Sequence, residues 1–399
     1  MDSAPWLTIL GLGEDGPDGL GLASRKALEA AEVIIGPPRH LALIGPTVAR
    51  QIEWPAPFED GLALLSDLRG QKVVALASGD PFWFGAGRVI ADRLAPGEWV
   101  SLPAPSTFSL AANRLGWGLE STPCLGLHAA PLDRLRPHLG DGARLLVTVR
   151  DGVAVGELCR WLSQAGFGAT RVHVMEALGG ADARVRTATA AEMKYTDIAH
   201  PVLLGLDLSG QGADLPLVPG LPDETFDHDG QITKRPVRAL TLSALAPRPG
   251  EHLWDIGGGS GSIAIEWLLA HPSLRATSIE HDPDRAARIT ANARALGVDR
   301  LRVVQGAAPG ALTGLEAPDA VFVGGGLSAE LLGTLETACP LGCRLVANAV
   351  TLESEAVLAA WQARKGGDLL RIDLARATRL GARRGWTSAY PVVQWSGTL

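Results

Sequence analysis

The chain has 399 residues and a formal net charge of −7, a length that favours two or three domains, each able to bury its own core without disulfides. No Lys/Arg block of the kind that tracks a phosphate backbone occurs, which argues against nucleic acid as the main partner, and no uncharged run approaches the ~20 residues that span a bilayer. Met1-Asp2-Ser3-Ala4-Pro5-Trp6 has no basic segment and no long apolar run, so a soluble, cytoplasmic protein with no membrane partner is expected.

Apolar β-like runs alternate with helical patterns, the signature of an α/β protein. The expected elements begin with strand Trp6–Gly11, helix Ala23–Ala31 and strand Val33–Gly36, then a helix, strand Lys72–Ala77, a helix around Ala86–Leu94 and strand Trp99–Leu102. A second small α/β lobe follows, with strand Arg144–Thr148, helix Gly156–Ala165 and strands Arg171–Glu176 and Pro201–Asp207. Residues 208–232 are rich in Gly, Pro and Asp and poor in periodicity, and are expected to link a domain of residues 1–207 to one of residues 233–399.

Beyond the linker the pattern restarts as one doubly wound unit. Helix Pro236–Leu245 leads to strand Glu251–Ile256, a helix, strand Ala276–Glu280, helix Pro283–Leu296, strands Leu301–Gln305 and Ala320–Val323, helix Ala329–Ala338 and strand Arg344–Asn348. Helix Leu352–Gln362 then precedes closing strands at Leu369–Ala375 and Tyr390–Trp395. No internal repeat relates the two halves. The cysteines Cys124, Cys159, Cys339 and Cys343 lack zinc-site spacing even where two form C-x₃-C, so no metal is expected and reduced thiols are.

Three strand ends carry the C-terminal chemistry. Asp255 closes one strand just before Gly257-Gly258-Gly259-Ser260-Gly261, Glu280 ends the next, and Gly306-Ala307-Ala308 follows a third. An acid at the tip of the second strand can take both hydroxyls of a ribose, while an acid just before the glycine turn suits the ammonium of a methionine moiety. The spacing is D-x-G-x-G-x-G rather than the G-x-G-x-x-G of dinucleotide sites. Together these residues point to S-adenosylmethionine; an ordinary βα turn with a surface Glu, or an NAD(P) site, are the alternatives they leave.

Thr233-Lys234-Arg235-Pro236-Val237-Arg238-Ala239 leading into Trp254–Gly261 resembles the class I methyltransferase domain of corrin biosynthesis, over most of residues 230–399. The resemblance implies a Rossmann-like fold that methylates carbon 15 of a precorrin and decarboxylates its ring C acetate. It places Asp255, Gly257, Gly259 and Gly261 along the cofactor, Glu280 at its ribose and Ala307-Ala308 at its adenine. Gly324-Gly325-Gly326 takes the position of a backbone loop facing the reacting methyl, or is a plain loop.

The N-terminal half carries Ile9-Leu10-Gly11-Leu12-Gly13-Glu14-Asp15-Gly16, Ala75-Leu76-Ala77-Ser78-Gly79-Asp80-Pro81, Pro105-Ser106-Thr107-Phe108, and Glu176-Ala177-Leu178-Gly179-Gly180. With Ala31–Gly36 these resemble the tetrapyrrole (class III) methylases over nearly all of residues 5–207. The resemblance implies two α/β/α lobes with a second S-adenosylmethionine between them and contacts near Leu10, Asp80, Phe82, Ser106 and Thr107. Asp80 is expected to face the cleft, or to form an Asx-type turn that caps a helix. In the first loop, Gly-Glu-Asp-Gly-Pro-Asp replaces the commoner Gly-Pro-Gly-Asp-Pro, so the shape of the substrate trough departs from the family pattern.

A reduced tetrapyrrole is its own carbon nucleophile, so the protein must orient it and bind its acetate and propionate arms. Lys234, Arg235 and Arg238, and Arg383-Arg384 with Trp386, are candidate carboxylate binders, or solvated surface charges. No catalytic acid or base is assigned; His252, His281 and Glu266 are conceivable. The two resemblances in this order imply a bifunctional enzyme that methylates precorrin-6B at carbons 5 and 15 and decarboxylates it to precorrin-8X, with or without cobalt. The competitors are a methyltransferase of RNA or protein, and a C-terminal methyltransferase with a non-catalytic tetrapyrrole-binding module. Both families imply a homo-oligomer.

Overall fold

A computed structural model describes residues 5–399; the reading of Met1–Ala4 as free of a leader lies outside them. The chain divides into two compact units. One runs to Ala213, apart from Pro131–Pro137; the other comprises Asp214–Leu399 together with Pro131–Pro137.

The first unit contains two five-stranded sheets. In the first, β1 (Leu7–Leu12), β2 (Val33–Gly36), β3 (Arg50–Glu53), β4 (Val73–Ser78) and β5 (Trp99–Leu102) lie in the order β3-β2-β4-β1-β5. All its pairings are parallel. The near-continuous apolar sequences of β1, β2 and β4 follow from this, because helices cover both faces of a parallel sheet. β3 was not expected: it is an edge strand with a polar, largely exposed sequence and no alternation to read.

The second sheet holds β6 (Cys124–Gly126), β7 (Arg144–Thr148), β8 (Arg171–Glu176), β9 (Arg184–Thr189) and β10 (Val202–Asp207), ordered β6-β7-β10-β8-β9. Only the β6–β7 pair is parallel. β9 is another unanticipated edge strand; its Arg184 and Arg186 both pair with Glu176, which is buried at the end of β8.

The second unit is a seven-stranded sheet of β11 (His252–Ile256), β12 (Arg275–Glu280), β13 (Arg302–Gln305), β14 (Ala320–Val323), β15 (Arg344–Ala349), β16 (Asp368–Ile372) and β19 (Val392–Thr398). The order is β13-β12-β11-β14-β15-β19-β16, with β19 alone antiparallel to its neighbours. The order reverses direction at β11, which places the crevice outside its carboxyl end. Helix Ser262–Ala270 behind β11 is apolar almost all round, and residues 262–268 are buried. Helix Pro283–Ala295 starts where Asp282 caps the amides of Asp284 and Arg285.

One expectation is corrected. Residues 208–232 are not a free linker: Leu208 is buried, and Leu221 and Phe226 enter the core of the second unit beside Leu242, Leu245 and Trp267. Between β16 and β19 the chain adds an exposed hairpin, β17 (Ala375–Leu380) and β18 (Arg383–Ser388), whose strands pair only with each other. No helix among the described residues is long and apolar enough to cross a membrane.

Candidate functional sites

In the second unit the register brings separate motifs to one edge. Ile256 pairs with Ile279 and with Val323, and Glu280 pairs with Gln305. The Gly257–Gly261 turn, Glu280, Gly306–Ala308 and Gly324–Gly326 therefore all follow the carboxyl ends of adjacent parallel strands. Ala307 is exposed and Ala308 half-buried there.

Gly257, Gly259 and Gly261 have φ of 74°, 59° and 76°, a region that side-chain-bearing residues enter only with strain. Close approach adds a second constraint. A Cβ on Gly257 would sit 2.5 Å from the Gly325 amide nitrogen, and one on Gly258 would overlap the Ser278 hydroxyl. Glu280 is buried, and its carboxylate accepts the Gly259 amide at 2.9 Å and the Asp282 amide at 3.0 Å, which ties the turn to the tip of β12.

Asp255 is buried, and the Ser278 hydroxyl donates to it at 3.3 Å. Burial pushes its carboxyl up to about 7; the Glu280 charge adds to this, and hydrogen bonds from Ser278 and the Ala264 amide oppose it. A carboxyl left without a cation among the described residues, at the mouth of a glycine turn, is the complement of an ammonium. The strand-tip carboxylate and exposed turn amides match a ribose and its neighbours, so these residues fit S-adenosylmethionine.

The candidate arm binders separate. Lys234 and Arg235 are exposed at the start of helix Arg235–Leu245, and Gln231, just upstream, approaches Gly259 with its carbonyl 3.8 Å from where a Cβ would lie. Arg238 cannot bind substrate. It has no exposed side-chain surface and is held by Glu266 at 2.5 Å, by Asp223 at 3.2 Å and by the carbonyls of Leu221 and Thr233, with its fork over the Phe226 ring. Glu266 also accepts the Gly220 and Leu221 amides, at 2.6 and 3.0 Å, so neither Glu266 nor Arg238 is free for chemistry. Arg383 and Arg384 stand exposed on β18, as does Trp386. His252 is buried against Thr277 at 2.9 Å, and His281 bonds Glu280 at 3.0 Å.

In the first unit Gly11, Gly79 and Ala104 meet where β1 and β4 end. Gly79 donates to Leu12 and Ala104 donates to Gly79, while a Cβ on Gly11 would overlap the Gly79 carbonyl oxygen. Beside this crossing lies a cavity of ≈ 350 Å³ lined by Asp80, Trp83, Pro105, Ser106, Ser109 and Leu119, among others. Asp80 both lines this cavity and forms an Asx turn, accepting the Phe82 amide at 2.9 Å. Ser106 caps helix Thr107–Leu115 through the Ser109 amide, at 3.0 Å, with Thr107 next in line.

Leu10 and Phe82 need correction. The Leu10 side chain is buried among Leu12, Ile34, Val74 and Leu76, so only its backbone is available to a ligand. Phe82 leans on Trp99 with ring centroids 5.4 Å apart, and Trp83 takes its place at the cavity. Trp83 was missed because three consecutive aromatics, Phe82-Trp83-Phe84, offer no periodicity to tell one from another. Gly325 was legible only as one of three glycines.

A glycine turn tied to a strand-end carboxylate on a seven-stranded sheet of this order defines a methyltransferase domain, here joined to a unit of a different fold. Residues 7–194 match the family model of tetrapyrrole (corrin/porphyrin) methylases, and residues 224–399 that of the precorrin methyltransferase domain. The chain is 50% identical over 402 residues to a precorrin-6Y C(5,15)-methyltransferase [decarboxylating] of a Sinorhizobium species, covering 99% of this chain and 97% of that one. It is 39% identical over 405 residues to a protein of the same name from Mycobacterium tuberculosis, covering 98% and 99%. A crystal structure of the C-terminal domain of precorrin-6Y C5,15-methyltransferase from Rhodobacter capsulatus is 55% identical, with a TM-score of 0.45, covering 46% of this chain and 100% of that one.

The chain belongs to the precorrin-6Y C(5,15)-methyltransferase (decarboxylating) family. It is an S-adenosylmethionine-dependent, decarboxylating C-methyltransferase of cobalamin biosynthesis, and its substrate class is the tetrapyrrole.

Proposed function

We propose that each unit holds its own S-adenosylmethionine and that the two divide the reaction. The second unit methylates carbon 15 and decarboxylates the ring C acetate; the first methylates carbon 5. Precorrin-6B becomes precorrin-8X. The observation that supports this reading is the presence of two separately built strand-end sites, one around Asp255 and Glu280 and one around Gly79 and Asp80.

In the second unit Asp255 takes the cofactor's ammonium, Glu280 its ribose diol and Ala307-Ala308 its adenine, while Gly257, Gly259 and Gly261 let it lie on the backbone. In the first, Asp80, Ser106, Thr107 and Trp83 surround it, and Leu10 contributes main chain. When bound, S-adenosylmethionine supplies a methyl group made electrophilic by the sulfonium. The residues around it position donor and macrocycle and exclude water, and positioning of this kind can remove roughly 7–11 kcal/mol of barrier. For decarboxylation the macrocycle is the electron sink, and the protein desolvates one carboxylate. Lys234 and Arg235, exposed a few residues beyond Gln231, hold other arms. No metal takes part, and the reading carries with it a homo-oligomer that binds no nucleic acid.

Calorimetry on the full chain tests the division. Two molecules of S-adenosylmethionine per chain are expected, falling to one in Asp255→Ala with decarboxylation lost. A stoichiometry of one in the unsubstituted chain sinks the two-site reading.

A further inference from the structure

The first unit contains a polar cluster that the cofactor sites do not use. It gathers at the carboxyl ends of β1, β2 and β4, from Glu14 in the loop after β1, Arg39 and His40 at the start of helix Pro38–Ile44, and Ser78 at the end of β4. The Arg39 guanidinium pairs with the Glu14 carboxylate through Nη1. Its Nη2 donates to the His40 Nε2 at 2.8 Å and to the Ser78 hydroxyl at 3.1 Å. The fork is held from two directions, by Glu14 from the loop after β1 on one side and by His40 of its own helix and Ser78 of β4 on the other.

His40 determines how that grip works. It is buried, and burial first, then the Arg39 charge, pushes its ring down to about 4. At neutral pH the ring carries no charge, and because a guanidinium can only donate, Nε2 is the acceptor in the Arg39 bond, with the Ser78 hydroxyl 3.0 Å from it. Its other ring nitrogen, Nδ1, is buried with no hydrogen-bond partner among the described residues.

Arg39 nevertheless stays open: 30% of its side chain is exposed, and its Nε–H has no acceptor among the described residues. The second lobe faces it. The His200 ring, on the segment before β10, feels the Arg39 charge, and Gly180 would bring a Cβ within 2.8 Å of Glu14. The guanidinium therefore lies where Gly180 and the segment before β10 come close to the loop after β1. Ser78, which accepts from Arg39, directly precedes Gly79-Asp80, and Asp80 lines the cavity assigned to the methyl donor.

We infer that Arg39, positioned by Glu14, His40 and Ser78, binds a carboxylate arm of the tetrapyrrole in the first unit and sets which meso carbon meets the methyl donor. This rests on the reading that the first unit methylates carbon 5. A planar fork fixed on two sides and open on a third suits a carboxylate better than a mobile ammonium would. Glu14 stands in the first loop, where this chain departs from the usual Gly-Pro-Gly-Asp-Pro pattern. The departure thus acquires a role: it supplies the acid that holds Arg39. Glu14, His40 and Ser78 are positioning residues, and only Arg39 touches the substrate.

The test uses the full chain with precorrin-6B and methyl-labelled S-adenosylmethionine, and mass spectrometry distinguishes products by methyl count. Arg39→Gln is expected to raise KM for the tetrapyrrole in the carbon 5 step about 10- to 100-fold, with kcat much less affected, as loss of a charge-assisted hydrogen bond implies. Arg39→Lys should recover part of that loss, and His40→Gln should raise KM by a smaller factor with the same split. Melting curves identify any variant that fails to fold; should Arg39→Gln do so, Arg39→Lys carries the test, with an intermediate KM expected. An unchanged KM in a folded Arg39 variant overturns the inference, and so does a fall in kcat alone. If the unsubstituted chain transfers no methyl to carbon 5, the reading of the first unit is what fails, and this inference falls with it.

Discussion

Gly257 and Gly325 pack backbone against backbone: a Cβ on Gly257 would lie 2.5 Å from the Gly325 amide nitrogen and 2.7 Å from its Cα. Two loops from neighbouring strands, β11 and β14, meet at that spacing because position 257 brings no side chain, whereas a Cβ on Gly325 would make only ordinary contact, 3.5 Å from the Gly257 Cα. The contact joins the turn assigned to the cofactor to the loop that would face the reacting methyl.

Gly257→Ala should therefore abolish the second unit's chemistry. The positive φ costs about 1–3 kcal/mol for any residue with a side chain, and the clash adds to it. Calorimetry should find one S-adenosylmethionine per chain, CO₂ release should fall below detection, and methylation at carbon 5 should persist.

Asp255 makes a pH-dependent prediction. Its folded pKa, about 7, lies above its ordinary value, so as pH rises the unfolded chain ionises first. The stability that the neutral carboxyl preserves is full below pH ~4, is lost between pH ~4 and 7, and stays lost above. Asp255→Asn, which cannot ionise, should be the more stable protein at pH 8 by up to ~4 kcal/mol, and the gap should close towards pH 4. Urea titrations across that range check it. S-adenosylmethionine affinity at this site should rise with pH through about 7, because the ammonium selects the ionised form.

Arg238→Ala tests the corrected assignment of that residue. Removing one partner leaves Glu266 as an unpaired buried charge and frees two carbonyls, a loss of about 3–5 kcal/mol. Amide exchange should show residues 220–233 opening well before the sheet. A folded variant with normal stability and a raised KM for tetrapyrrole would restore Arg238 as a substrate binder.

Gly11→Ala addresses the first unit. Its new methyl would overlap the Gly79 carbonyl, pushing the Gly79-Asp80 turn away from Ala104. Carbon 5 methylation should disappear while decarboxylation continues, as product analysis by mass spectrometry would show.

Glu280→Gln separates charge from shape. The amide keeps the length of the side chain but loses the ionic character of its bonds to Gly259 and Asp282. Affinity for S-adenosylmethionine at the second unit should fall about tenfold or more, and S-adenosylhomocysteine, which has the same ribose, should lose as much. Equal affinity for both ligands in variant and parent would remove Glu280 from the ribose site.

The sequence by itself determined the α/β class, the two unlike halves, and the residues of the C-terminal turn. These are local properties: a parallel strand buried on both faces must be apolar, and a tight turn at its end must be glycine. Asp255, Gly257 and Glu280 were legible because each ends or follows a strand, and strand ends can be counted along the chain. Tertiary structure decided what depends on register between distant segments. It put Leu10 in the core, since alternate residues of β1 face opposite sides, and Arg238 under residues 220–233, where Glu266 from another helix meets it. It made edge strands of the polar stretches β3 and β9, where only pairing shows the strand. It also gathered Glu14, Arg39 and Ser78, which lie 25 and 39 residues apart in sequence, because β1, β2 and β4 run parallel and end together.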